Sequence, residues 1–226
     1  MSVSRHTAYN LLGALLPLGI ALVTIPLYLR IVGAERYGLL SICWLLLGYF
    51  GLFDFGISRA VLQKIASLRE AGDDARSETF WTGLTLTLGL SAVAVPLTFP
   101  LATLALSFIE VPDGPLHAEI VRAMPWLAAV LPFALLGALL NGVLAGRERF
   151  GPLNLIEGAG NVLFSVVPLA LAWAFGPELW LLLAGSLAAR LVPLMLLAAA
   201  CARAVPIGRP RFRPALVRQL LGYGGW

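Results

Sequence analysis

Arg190 stands inside the apolar run Leu179–Ala202, with Ser186 one turn before it and Pro193 one turn after. Eleven residues into a helix it lies about 16 Å deep, near the middle of a hydrocarbon core of about 30 Å. An arginine there costs at least about 2.5–3.5 kcal/mol on insertion scales, so it needs a partner or an aqueous site. A guanidinium offers a planar fork of donors, and its natural clients are a phosphate or a carboxylate. The competing role is a structural ion pair with Glu157 or Asp54. A second set is Asn154, Glu157, Asn161 and Ser165. Steps of three and four put these on one helix face, the pattern of a cavity wall. Close helix packing through the adjacent Gly158 and Gly160 is the competing reading. A third is YFGLFDFGISRAVLQKIA, residues Tyr49–Ala66, where Asp54 and Arg59 interrupt apolar sequence. Asp54 is too short to snorkel, and a carboxylate within the core faces protein or water. The reading preferred here is a hydrated cavity, against an aspartate bonded to a neighbouring helix. Ser58 follows on the same face, and Arg59 reaches the interface, where snorkelling to headgroups also explains it. Weaker stripes are Asn10, Gly13, Pro17 and Thr24 in helix 1, and Gly137, Asn141 and Ala145 in helix 4. Thr82, Thr85, Thr87, Pro96 and Pro100 in helix 3 add to a picture of bent helices around a polar centre.

The elements that must position these groups follow from composition. The chain is 59% hydrophobic and 12% charged, against roughly 25% charged in soluble domains, and its mean hydropathy is +0.88. The net charge of +4 falls in short clusters between apolar runs, which suits membrane topology better than a nucleic-acid-binding face. Six segments can cross a membrane: Tyr9–Val32, Tyr37–Ile65, Phe80–Ile109, Met124–Ala145, Leu153–Phe175 and Leu179–Ala202. All are expected to be helices, because backbone groups in lipid must be satisfied within the segment. The second is expected as one helix of 29 residues. The first exceeds a signal-peptide core of about 7–15 residues and reads as a retained span. Residues 1–202 then form a six-helix bundle. Residues 203–226 form a basic linker and the start of a seventh helix, so the sequence reads as the front half of something larger.

The connections after helices 1, 3 and 5 carry Arg30, Arg36 and Arg122. The N-terminal tail and the connections after helices 2, 4 and 6 carry Arg5, Arg59, Lys64, Arg69, Arg76, Arg147, Arg149, Arg203, Arg209, Arg211, Arg213 and Arg218. The richer set is expected to face the cytoplasm, with the N-terminus on that side. Cys43 and Cys201 lie within apolar runs and read as small buried hydrophobes. His6 and His117 are isolated, and no metal-ligand spacing occurs. No paired-carboxylate, GxSxG or HExxH motif and no phosphate-binding glycine loop is present, so an enzyme is not expected.

Four stretches carry a resemblance: IPLYL (Ile25–Leu29) after Asn10, VGAERYGLL (Val32–Leu40), LFDFGISRA (Leu52–Ala60) and LNGVLAGRERFGPLNLIEGAGNVL (Leu140–Leu163). With the closing LLGYGGW (Leu220–Trp226), the chain resembles the bacterial polysaccharide flippases of the multidrug/oligosaccharidyl-lipid/polysaccharide exporter superfamily over their N-terminal half. The resemblance implies an all-α polytopic fold in which six transmembrane helices form one bundle of a two-bundle exporter, rocking around a central cavity. It implies movement of an undecaprenyl-pyrophosphate-linked oligosaccharide to the outer leaflet of the inner membrane, for O-antigen or other cell-surface polysaccharide. Asp54, Arg59 and Glu157 fall at matching positions. Cationic residues would meet the pyrophosphate, and acidic ones could bind a coupling proton or sodium ion, with no other cofactor. Implied partners are the lipid-linked glycan, membrane lipids and the polysaccharide polymerase machinery; nucleic acid is not among them. A cation-coupled multidrug-type antiporter, dependent on Asp54 and Glu157, and a non-transporting scaffold or truncated remnant are the alternatives.

Overall fold

The computed structural model describes residues 18–49, 54–68, 72–107, 115–205, 208 and 210–223. These form eight helices and no strand: α1 (Leu18–Ile31), α2 (Ala34–Tyr49), α3 (Ile57–Ser67), α4 (Asp73–Ser107), α5 (Pro115–Gly146), α6 (Phe150–Phe175), α7 (Leu179–Ala204) and α8 (Pro214–Tyr223). Asn10, with Gly13 and Pro17 of the helix 1 stripe, lies outside the described residues. Four of the described helices, α4 to α7, are long and apolar enough to cross a membrane. Large side chains such as Leu155, Trp173 and Phe175 on α6 and Met195 on α7 are exposed. In water such a surface would drive association; in a bilayer it faces solvent of its own kind. The chain is a multi-pass membrane protein.

The expected single helix Tyr37–Ile65 is not continuous. The α2 helix ends at Tyr49 and α3 begins at Ile57. Phe55 (φ 46°) and Gly56 (φ 76°) both adopt left-handed backbone immediately before α3, a conformation that a right-handed helix cannot contain. Asp54 closes the break. Its carboxylate accepts the Ser58 backbone N–H at 2.9 Å and the Ser58 hydroxyl at 3.0 Å. It therefore satisfies one of the orphan amides in the first turn of α3. Asp54 is buried, and both its carboxylate oxygens are engaged by Ser58 in the first turn of α3. Asp54→Ala is expected to lower stability by about 0.5–2 kcal/mol, the usual range for a lost cap, with Asp54→Asn close to wild type. Thermal unfolding in detergent reads both; unchanged stability in the alanine variant would return the carboxylate to the transport-site candidates.

Other expected boundaries shift outward. The α4 helix starts at Asp73 rather than Phe80, and α5 starts at Pro115, so Arg122 lies on a helix rather than in a loop. Four α4 hydroxyls turn back on their own helix: Thr79, Thr85, Ser91 and Thr98 each donate to the carbonyl four residues back, whereas Thr82 accepts from Arg213 N and Thr87 Oγ1 is buried without a partner among the described residues. This self-satisfaction lets those four sit in apolar surroundings.

The α5 helix is the centre of the bundle and packs against α3, α4 and α7, while α6 lies on α7 and touches α5 only lightly. Glycines set the closest approaches. A Cβ on Gly142 would lie 2.5 Å from the Ser58 carbonyl oxygen, and one on Gly146 2.7 Å from that of Leu62, so α3 rests directly on the α5 backbone. On α6 and α7, Gly160 receives Pro193, and Gly185 receives Pro168.

Two apolar cores result. One gathers Tyr28, Leu40, Leu131, Leu135, Leu182 and Leu183. The other gathers Ile57, Val61, Leu139, Val143, Leu197 and Cys201.

The end near the second core is the arginine-rich one. There Arg147 donates to the Ala204 carbonyl, Arg76 to the Leu68 carbonyl, and Arg213 pairs with Glu78 at 3.0 Å. At the opposite end Arg36 grips Glu119 through two hydrogen bonds and joins α2 to α5. The bond to Glu119 holds the Arg36 guanidinium pKa above its ordinary value.

Candidate functional site

Between the two cores the helices separate and leave a cavity of about 200 Å³. Phe133 and Gly137 of α5 line it, with Glu157, Gly160, Asn161 and Phe164 of α6 and Arg190, Pro193, Leu194 and Leu197 of α7. Its depth follows from helix rise. At 1.5 Å per residue from the arginine-rich end, Glu157 and Leu197 lie about 10 Å in, and Phe164 and Arg190 about 21 Å in. The cavity therefore occupies the middle of the bundle and extends toward the basic face.

Helix chemistry explains why space opens here. Gly137 presents no side chain, and a carbon added there would meet open space, so α5 contributes backbone where other positions would fill the gap. Pro193 breaks the α7 hydrogen-bond ladder one turn after Arg190, which frees the Ala189 carbonyl from its usual donor.

Arg190 dominates the site. Its guanidinium carbon lies 4.7 Å from the centroid of the Phe164 ring, a cation–π arrangement worth about 0.5–2 kcal/mol. Its Nε is buried without a hydrogen-bond partner among the described residues. No ion pair within 4.0 Å holds Arg190 among the described residues. The alternative of a structural pair with Asp54 or Glu157 is therefore not what the structure forms. A guanidinium with an open donor has the hydrogen-bonding chemistry that phosphates and carboxylates match.

Glu157 shares the cavity with Arg190. Its Oε1 accepts a 2.7 Å hydrogen bond from Asn141 Nδ2 on α5. Asn141 does not line the cavity itself, and its Oδ1 is buried without a partner among the described residues. Asn161 lines the cavity, while Asn154 sits exposed about two turns nearer the basic end. Ser165 Oγ donates to the Asn161 carbonyl, and the Ser165 carbonyl accepts from Tyr28 Oη at 2.9 Å, which fixes α1 against α6. Ser186, one turn before Arg190, is buried and accepts from Trp44 Nε1 at 3.2 Å, and the Trp44 ring in turn packs on Phe164.

Of the residues singled out from sequence, Arg190, Glu157 and Asn161 meet at the cavity wall, and Asn141 supports it from behind. Asp54 and Arg59 are not among the lining residues; Arg59 is exposed on α3. Phe164 was the site residue that the polar pattern passed over. The step of seven from Glu157 and three from Asn161 already put it on their face.

Three comparisons bear on what this cavity serves. The family whose description is "Polysaccharide biosynthesis protein" matches residues 3–226. A protein of Shigella flexneri named "Putative O-antigen transporter" is 26% identical over 226 residues, covering 100% of this chain and 53% of that protein. The chain thus spans about half the length of the curated relative it matches. No solved structure gives a significant match. A match that runs from the third residue to the last, on a bundle of apolar helices around a polar cavity, leaves one assignment: the chain belongs to the polysaccharide biosynthesis protein family.

Proposed function

We propose that this chain is the N-terminal lobe of a flippase that carries a polyprenyl-pyrophosphate-linked oligosaccharide from the inner to the outer leaflet of the bacterial cytoplasmic membrane. The observation that carries the proposal is the unpaired Arg190 at mid-depth, stacked on Phe164 and bordering a cavity. A pyrophosphate is the anion such a lipid must bring across the membrane, and a guanidinium in low dielectric meets it with short, charge-assisted hydrogen bonds. The cavity is too small for a whole glycan chain. It suits the headgroup, with the sugars occupying space that a second, opposing bundle would enclose. Alternating access would come from rocking of the two bundles around this point.

The orientation follows from charge. The basic end, with Arg147, Arg149, Arg203, Arg211, Arg213 and Arg218, would face the cytoplasm, and so would the N-terminus. The cavity extends toward that end, so the arginine would be loaded from the leaflet where the lipid-linked glycan is made. Glu157 is the one carboxylate among the described lining residues, and it is engaged by Asn141. That weighs against a cationic-drug exporter, whose site would hold an unengaged acid. Glu157 is also the group in the cavity able to take a coupling proton or sodium ion.

The test is deletion of the gene in its own host. Surface polysaccharide is expected to disappear while the lipid-linked precursor accumulates in the cytoplasmic leaflet. Normal surface polysaccharide in the deletion strain, with no second gene of this family present, would overturn the assignment.

A further inference from the structure

An arginine and a glutamate that share one low-dielectric cavity should pair. Their attraction there greatly exceeds its value in water, and unpaired buried charges are costly. Here they do not pair, although both line the same cavity. Two features keep them apart. The α6 and α7 helices are antiparallel, so their Cα–Cβ bonds lean in opposite directions along the bundle, and Glu157 sits about seven residues nearer the basic end than the Phe164 on which Arg190 rests. The second feature is Asn141. It reaches from α5 and holds Glu157 Oε1 at 2.7 Å. Asn141 makes this bond although its own Oδ1 is left buried and unpartnered among the described residues. An orphaned buried acceptor is costly, so the amide is not placed there for its own stability.

We propose that Asn141 is a positioning residue that holds Glu157 off Arg190 and so leaves the guanidinium open to a pyrophosphate or other oxyanion. This deepens the reading of Arg190 given above and rests on it for the identity of the anion. The structural part stands apart from it. Asn141 acts on Arg190 only through Glu157. Without the amide, the carboxylate turns to the cation and becomes an internal competitor for the incoming anion.

This second-site logic gives a test that does not require transport. Arginine side chains in open sites react with 2,3-butanedione, and those locked in ion pairs react slowly. The protein is expressed at its full natural length in membranes and treated with the reagent. Modification of Arg190 is followed by peptide mass spectrometry, with Arg147 and Arg149 as internal references for the folded state. Asn141→Ala is expected to slow labelling of Arg190 by about tenfold, the effect of a charge-assisted bond of roughly 1.5 kcal/mol. The double variant Asn141→Ala/Glu157→Gln is expected to regain the wild-type rate, because the competitor has lost its charge. Glu157→Gln alone is expected to label at least as fast as wild type. Unchanged labelling in Asn141→Ala overturns the proposal, and so does slow labelling that Glu157→Gln fails to rescue, since a mere packing defect would persist in the double variant.

The same samples separate this inference from the anion reading. Inorganic pyrophosphate and farnesyl pyrophosphate are each added before the reagent. Protection of wild-type Arg190 by farnesyl pyrophosphate alone supports a lipid headgroup as the client, and protection by both supports the pyrophosphate group itself. Protection by neither removes the pyrophosphate reading while the labelling pattern still decides the role of Asn141.

Discussion

Arg190→Ala is expected to reduce glycan delivery to the cell surface by at least about tenfold and up to about a hundredfold, with normal amounts of protein in the membrane. The magnitude comes from loss of charge-assisted hydrogen bonds to an anion, worth about 1.5–3 kcal/mol. The protein should still accumulate, because removing a mid-span arginine lowers the cost of inserting α7 rather than raising it. The structural loss is limited to the stacking on Phe164, since no ion pair is broken. Arg190→Lys should recover only part of the activity. A lysine keeps the charge but gives up the planar fork and most of the contact with the ring. Measured as surface polysaccharide per unit of membrane protein, near-wild-type export by Arg190→Ala would remove Arg190 from the transport site.

A second large effect is expected where nothing chemical happens. Gly142→Val should destabilise the protein by about 3 kcal/mol or more, near the upper end of overpacking costs. The first added carbon would lie 2.5 Å from the Ser58 carbonyl oxygen and 3.2 Å from its carbon. Those are backbone atoms, so relief requires moving all of α3 away from α5 rather than turning one side chain. Asp54 and Ser58 would move with it, opening the α2–α3 junction. Gly158→Ala provides the contrast. No atom lies within 4 Å of its added carbon, and the gain in helix propensity should make it neutral to about 1 kcal/mol stabilising. Thermal unfolding in detergent compares the two. Similar midpoints would show that the α3–α5 contact is looser than its geometry.

How far these residues could be read in advance depended on whether their partners were local. Glu157 and Asn161 share a helix face through a spacing visible in the chain, and both line the cavity. Ser58 was correctly placed on the face of Asp54, four residues away, yet the bond they make caps a helix start that the sequence concealed. Phe at position 55 gives no hint of left-handed backbone, which non-glycine residues rarely adopt. An apolar run from Tyr37 to Ile65 therefore looked like one span.

Sequence alone determined that this is a helical membrane protein, the apolar centres though not the starts of its spans from α4 to α7, which end is basic, and that an arginine stands at mid-depth. These follow from composition and a 3.6-residue period, both carried by neighbours in the chain. Only the tertiary structure decided that Asp54 caps α3, that Asn141 on α5 engages Glu157 on α6, and that Arg190 rests on Phe164 without an ion pair. A helical period says which residues share a face, but which faces meet is set by where Gly137, Gly142, Gly146, Gly160 and Gly185 let helices approach or leave room.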